Sequence, residues 1–304
     1  MTTADTSTYT CRYCRLPSDA SGSSCPNCGA PVDVTAAVSA SGWQEQPPVR
    51  DMARIQFGRS TCQIEGTSVP SADFKLAGPA GAAESGDWIY FSHHHVLWTE
   101  PTVQMQPMSM AGGWNRMRAG LPLVMLTASG PGHIALSEDA PGEIVAIPLQ
   151  PGQGVWVREH RFLTATGNVA YSWDQSGIWI VTGSGDDRET HYPLGMYIDY
   201  FQAQAAPGLL LLHSPGNTFI RDLGPSETIC IQPSALLYKD PTVGMQLHIE
   251  YPRAGGLSFS GRYSYRQLWL RMWGPGRVAV QSVFERPEAS NQITSHSPAT
   301  TTAW

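Results

Sequence analysis

Leu97-Trp98-Thr99-Glu100-Pro101-Thr102-Val103-Gln104-Met105-Gln106 and Leu237-Tyr238-Lys239-Asp240-Pro241-Thr242-Val243-Gly244-Met245-Gln246 are one phrase written twice, 140 residues apart. At the same offset each follows an apolar run, Trp88-Ile89-Tyr90-Phe91 and Thr228-Ile229-Cys230-Ile231. A middle version begins 66 residues after the first, with Gly154-Val155-Trp156-Val157, then Phe162-Leu163 and Val169-Ala170-Tyr171. An apolar run, a polar break and a second, partly alternating apolar run read as strand, turn, strand. Three occurrences predict one domain built from three equivalent units.

A second phrase supports the count. Gly130-Pro131-Gly132-His133-Ile134-Ala135-Leu136 matches Gly274-Pro275-Gly276-Arg277-Val278-Ala279-Val280, and Ser214-Pro215-Gly216-Asn217-Thr218-Phe219-Ile220 is a looser copy. Each Pro-Gly fits a type II turn leading into a strand. The turns at 130 and 214 precede strand pairs, whereas the turn at 274 has none after it and the pair at 88–106 has none before it. This order predicts that the segment after Gly276 lies beside residues 88–106, closing the sheet through its termini.

Composition agrees with an all-β chain. Thirty Gly and 24 Pro interrupt nearly every stretch long enough for a helix, while 10 Trp and 41% apolar residues exclude a disordered chain. Only 14% of residues are charged, against about 25% in an average soluble domain. Aliphatic runs such as Leu209 to Leu212 are too short to span a membrane. Polar Met1 to Thr10 carries no secretory pattern, so a cytoplasmic protein is expected. A net charge of -6 argues against general binding to nucleic acid or anionic membranes.

The Gly-Pro-Gly strands, the segment Leu149-Gln150-Pro151-Gly152-Gln153-Gly154-Val155-Trp156-Val157 and the ending Trp273 to Ser282 resemble the altered inheritance of mitochondria protein 24 family. The resemblance covers most of Met52 to Arg286. It implies a three-repeat β domain similar to the tryptophan RNA-binding attenuation protein fold, and it brings no catalytic residues to carry over. The expected fold is therefore a pseudo-threefold β-sandwich, or double-stranded β-helix-like domain, over 52–286. A zinc ribbon over 1–33 precedes it, joined by a flexible linker over 34–51, and a disordered tail follows over 287–304.

The ribbon rests on Cys11, Cys14, Cys25 and Cys28, two Cys-x2-Cys knuckles separated by ten residues. Each knuckle places two thiolates on one turn, and four thiolates make a closed tetrahedral zinc site. One structural zinc per chain is expected. Glycine after Cys28 permits the left-handed turn that ends a knuckle, whereas Arg15 stands at that place in the first. Disulfides are the alternative, disfavoured in a reducing cytosol. Arg12 and Arg15 are outnumbered over residues 1–40 by Asp5, Asp19 and Asp33, so the ribbon offers little to phosphates. Cys62 and Cys230 stand alone and read as buried small hydrophobes.

Two further clusters carry candidate chemistry. On a strand, His93 and His95 would share a face and present two ligands as cupin-like metal enzymes do. Alignment with Gln232-Pro233-Ser234-Ala235, however, puts His93-His94-His95 at a turn. Arg262, Arg266, Arg271 and Arg277 are interleaved with Tyr263, Tyr265, Trp269 and Trp273, a mixture able to stack bases and hold phosphates. The same stretch also reads as an ordinary half-buried strand. Motifs for phosphate loops, nucleophile elbows and metalloprotease helices are absent, and Glu138-Asp139 and Asp186-Asp187 sit in loops marked by Gly or Pro.

The functional expectation is a non-enzymatic binding or assembly protein, displaying its ribbon on a homo-oligomeric β domain. Scarce charge and the Met- and aromatic-rich segments Met105 to Met110 and Met196 to Phe201 have the composition of interface cores. A cupin-like enzyme using the His93-His95 region, and an RNA binder using the arginines, are the alternatives.

Overall fold

In the computed structural model, residues 8–11, 14–19, 25–30, 42–45, 53–80, 86–108, 125–250, 267–285 and 293–297 are described. The chain divides into two compact units. Unit one gathers residues 1–154, 161–171 and 201–219, and unit two gathers 155–160, 172–200 and 220–304.

Three repeats of six strands account for most of both units. The first comprises β1 (Ser71–Leu76), β2 (Trp88–Ser92), β3 (Val96–Thr99), β4 (Gln104–Pro107), β5 (Met125–Ser129) and β6 (Gly132–Ser137). The second comprises β7 (Gly142–Leu149), β8 (Gly154–Arg158), β9 (Phe162–Thr166), β10 (Val169–Gln175), β11 (Tyr197–Ala203) and β12 (Gly208–Pro215). The third comprises β13 (Thr218–Leu223), β14 (Thr228–Ile231), β15 (Leu236–Lys239), β16 (Gly244–Glu250), β17 (Gln267–Trp273) and β18 (Gly276–Gln281).

Within every repeat the pairing follows one rule. The sixth strand pairs with the first and third, and the fifth pairs with the second and fourth. In unit one this gives a sheet of order β7-β12-β9-β2-β5-β4 and another in which Ala53–Phe57 and Ser60–Glu65 precede β1-β6-β3. In unit two the orders are β10-β11-β8-β15-β18-β13 and β14-β17-β16. The all-β, three-repeat architecture read from the sequence is the one observed.

The two sheets of unit one face each other across one core. Phe74, Leu76, Ile134 and Leu136 come from one sheet, and Ile89, Phe91, Ile144, Leu163 and Leu211 from the other. Alternation along each strand sends every second residue inward, the geometry of a sandwich.

The Gly-Pro-Gly phrase and the Glu/Asp-Pro-Thr-Val phrase prove to be halves of one device. The His133 amide donates to the Glu100 carboxylate at 2.9 Å, and the Arg277 amide donates to Asp240 at 2.7 Å. A Cβ on Gly132 would lie 2.5 Å from the Thr102 hydroxyl, and one on Gly276 would lie 2.7 Å from that of Thr242. With φ at 143° and 140°, both positions exclude side chains on space and on conformation. The Gly130–Pro131 and Gly274–Pro275 bonds are cis, and φ values of 143° and 140° at the following glycines depart from the roughly 80° of the type II turns suggested by the sequence.

Two other expectations are corrected. β18 pairs with β15, while β2 pairs with β5 and β9, so the C-terminal strand finds its partner inside its own repeat instead of beside residues 88–106. Cys62 is fully buried, but Cys230 is exposed because β14 turns Thr228 and Cys230 outward together. Within residues 287–304, Ile293–His296 forms a strand that pairs with Ile180–Thr182. Gln44–Glu45 forms a short strand within the linker. The remaining residues of 34–51 and 287–304 lie outside the described set.

β15 also buries a lysine. Lys239 is 1% exposed and its ammonium donates to the Val243 carbonyl at 2.8 Å. Burial pushes its pKa down to about 8, against the opposing charge of Asp240. The unfolded chain therefore binds this proton more tightly, and between pH 8 and the usual lysine range the native state gains stability as pH rises. The stability of the wild type should rise relative to Lys239→Met by about 3 kcal/mol over that window. Urea unfolding at pH 7.5 and pH 10.5 checks this, and a pH-independent difference would refute it.

Candidate metal centre

Short antiparallel strands, Thr8–Thr10 and Pro17–Asp19, carry the first knuckle between them. In that knuckle the Arg15 amide donates to the Cys11 carbonyl at 2.7 Å. In the second, the Gly29 amide donates to the Cys25 carbonyl at 2.8 Å. Both donors adopt left-handed backbone, φ 61° at Arg15 and 70° at Gly29. The first knuckle thus makes the same turn without the glycine, and arginine bears the conformational cost.

All four sulfurs lie within 4.8 Å of one another. Cys11 Sγ is 3.7 Å from Cys28 Sγ, and Cys14 Sγ is 3.8 Å from Cys25 Sγ. A tetrahedral zinc with bonds of about 2.3 Å requires sulfur separations of about 3.8 Å. The cysteines are buried, and Leu16 and Ala30 pack against them. Mutual hydrogen bonding splits their acidities. The Cys14 contact, the leading cause, holds Cys11 down to about 6, while bonds to Cys11 push Cys14 and Cys28 up. Four thiolates can coexist here only around a cation, and the spacing fits zinc.

The histidine run occupies a single turn of 3-10 helix, His93–His95, between β2 and β3. The third repeat has the same turn at Pro233–Ala235, as the alignment implies. The His93/His95 pairing expected on a strand does not form, because a 3-10 turn does not alternate as a strand does. Instead His94, His95 and Glu138 bring one donor atom each within 4.8 Å. Glu100, the first carboxylate along the chain after the histidines, is engaged with the His133 amide. His160 and His248 are exposed. Glu138, read from sequence as a solvated loop acid, contacts His95 at 2.7 Å.

The arginine cluster is also revised. Arg277 is buried, and its guanidinium donates twice to the Asp222 carboxylate, each time at 2.9 Å. Buried and paired with a carboxylate, this guanidinium is turned away from any phosphate at the surface. Arg271 is exposed on β17, between inward-facing Leu270 and Met272, as a half-buried strand requires. Arg262 and Arg266 lie outside the described residues.

Residues 81–283 match the family described as Mitochondrial biogenesis AIM24. The chain belongs to this family. The four cysteines lie before the matched region. No curated protein matches the chain. The crystal structure of protein SPYM3_0169 from Streptococcus pyogenes has a TM-score of 0.52 to this AIM24 chain at 17% identity, covering 74% of this chain and 94% of that one. That likeness shows the fold. Among the described residues no helix is long and apolar enough to cross a membrane.

Proposed function

We propose that the protein is a binding and assembly module that displays a structural zinc ribbon on a homo-oligomer of its β domain. The reading rests on one comparison between repeats. Leu97 is 60% exposed, whereas its equivalent Leu237 is fully buried. Trp98 and Met105 are likewise exposed where Tyr238 and Met245 are buried. These residues lie on β3 and β4, each the last strand of its sheet, joined by one turn. Sheet edges lined with large apolar side chains are surfaces that associate. Met196, from a segment whose composition already resembles an interface, is exposed as well.

Association would present several ribbons at once, raising their effective concentration for a multivalent partner. The family's description names a biogenesis process, which supports a role outside catalysis. Four cysteines per ribbon, none of them in a disulfide, suit a reducing, cytoplasmic setting. Leu97→Asp combined with Met105→Asp should lower the sedimentation coefficient to that of a smaller species, with far-UV circular dichroism unchanged. An unchanged sedimentation profile removes the β3–β4 surface from the proposal.

A further inference from the structure

The second donor cluster is distinct from the four cysteines and lies on the turn that leads into β3. The third repeat builds the same turn with Pro233-Ser234-Ala235, and the position matching Glu138 holds Ser282. The fold therefore needs neither the histidines nor the carboxylate to make this turn. Their presence in the first repeat calls for another explanation.

His95 is buried, and its Nδ1 lies 3.2 Å from the Leu163 carbonyl. A carbonyl only accepts, so Nδ1 carries the hydrogen and the lone pair of the neutral ring sits on Nε2. Nε2 in turn faces Glu138 Oε2 at 2.7 Å. Two lone-pair donors so close require a positive charge between them, a proton or a metal ion. A backbone carbonyl that fixes the tautomer of a histidine is the usual support behind a metal ligand. The neighbouring imidazole of His94 contacts the His95 ring edge to face, with centroids 4.2 Å apart, and brings a third donor to the same place.

The surroundings include a second buried imidazole. His213 is 2% exposed; its Nε2 lies 3.1 Å from the Ala140 carbonyl, and its Nδ1 has no hydrogen-bond partner among the described residues. It lies close enough to Glu138 for that charge to act on it, and burial, the largest influence, lowers its pKa. Arg161, the cation of this neighbourhood, also acts on His213. Glu138 is held below the usual carboxylate range: burial, the largest influence, raises it, but the bond to His95 and the fields of His95, His213 and His94 together lower it further.

We propose that His94, His95 and Glu138 form a second metal site, separate from the ribbon. Two imidazoles and one carboxylate select a first-row transition ion such as zinc or iron(II) over magnesium or calcium, which prefer oxygen donors throughout. Three protein ligands leave at least one coordination position open, and exposed His94 marks the solvent side.

Full-length protein, stripped with a chelator and kept reduced, is titrated with Co2+ while its absorption is followed. The expected result is two equivalents per chain. One develops intense thiolate-to-metal charge transfer, and the other gives only the weak visible bands of nitrogen and oxygen ligation. Cys25→Ser should delete the first and spare the second. Glu138→Gln, isosteric and at a partly exposed position, should weaken the second at least tenfold and spare the first, and His94→Ala should do the same. Saturation of the wild type at one equivalent overturns the proposal, as does a second equivalent unaffected by both His94→Ala and Glu138→Gln. Neither outcome bears on the assembly reading, which is judged by mass.

Discussion

Cys28→Ser should remove one equivalent of zinc per chain and unfold the N-terminal ribbon, leaving the β units folded. The ribbon's described core consists of the four cysteines with Ala30 and Leu16, too little apolar surface to hold a fold without metal. In such ribbons the free energy of metal binding is the free energy of folding, about 10–16 kcal/mol in zinc-finger peptides. Three remaining sulfurs would leave an open, weaker site. Metal analysis together with amide exchange over residues 8–30 provides the check. Exchange should become fast in the ribbon and stay slow in β2 and β9, whose residues lie in the core of unit one. Zinc retained at wild-type content by both Cys28→Ser and Cys25→Ser would contradict the closed four-thiolate site.

The second large effect compares two leucines that the repeat makes equivalent. Leu237→Ala should destabilise the protein by about 2–5 kcal/mol, because a fully buried leucine leaves a cavity. Leu97→Ala, at the matching position, should change the stability of the dissociated chain by less than about 0.5 kcal/mol. Denaturant unfolding at low protein concentration gives both values. Equal costs would mean that the environments of the two repeats are alike, and the argument from unequal exposure would fall.

How much of this was legible in the sequence depends on the distance over which each feature is determined. The zinc knuckles are local, since spacing within one turn sets where both sulfurs go. The first and third repeats were legible because Glu100-Pro101-Thr102-Val103 and Asp240-Pro241-Thr242-Val243 serve the same turn, and that shared task keeps them alike. The middle repeat was fainter because Ile180–Thr182 and Glu189–His191 stand between β10 and β11 and break the offset.

Pairing partners were harder to read. Similarity marked β18 as the equivalent of β6, but it could not say that β18 stays with its own repeat. The exposure of Cys230 follows from β14 lying at the end of its sheet. The cluster of His94, His95 and Glu138 joins a tight turn to the end of a strand some forty residues later. A period-two reading of His93 and His95 selects the wrong pair, because the turn is helical.

Native mass spectrometry of the full-length chain at micromolar concentration tests the central claim most directly. The account predicts a defined homo-oligomer, its mass an integer multiple of the 33.0 kDa chain plus bound zinc, shifting to a smaller species in the Leu97→Asp, Met105→Asp double variant. A single zinc-loaded monomer, unchanged by those substitutions, would contradict it.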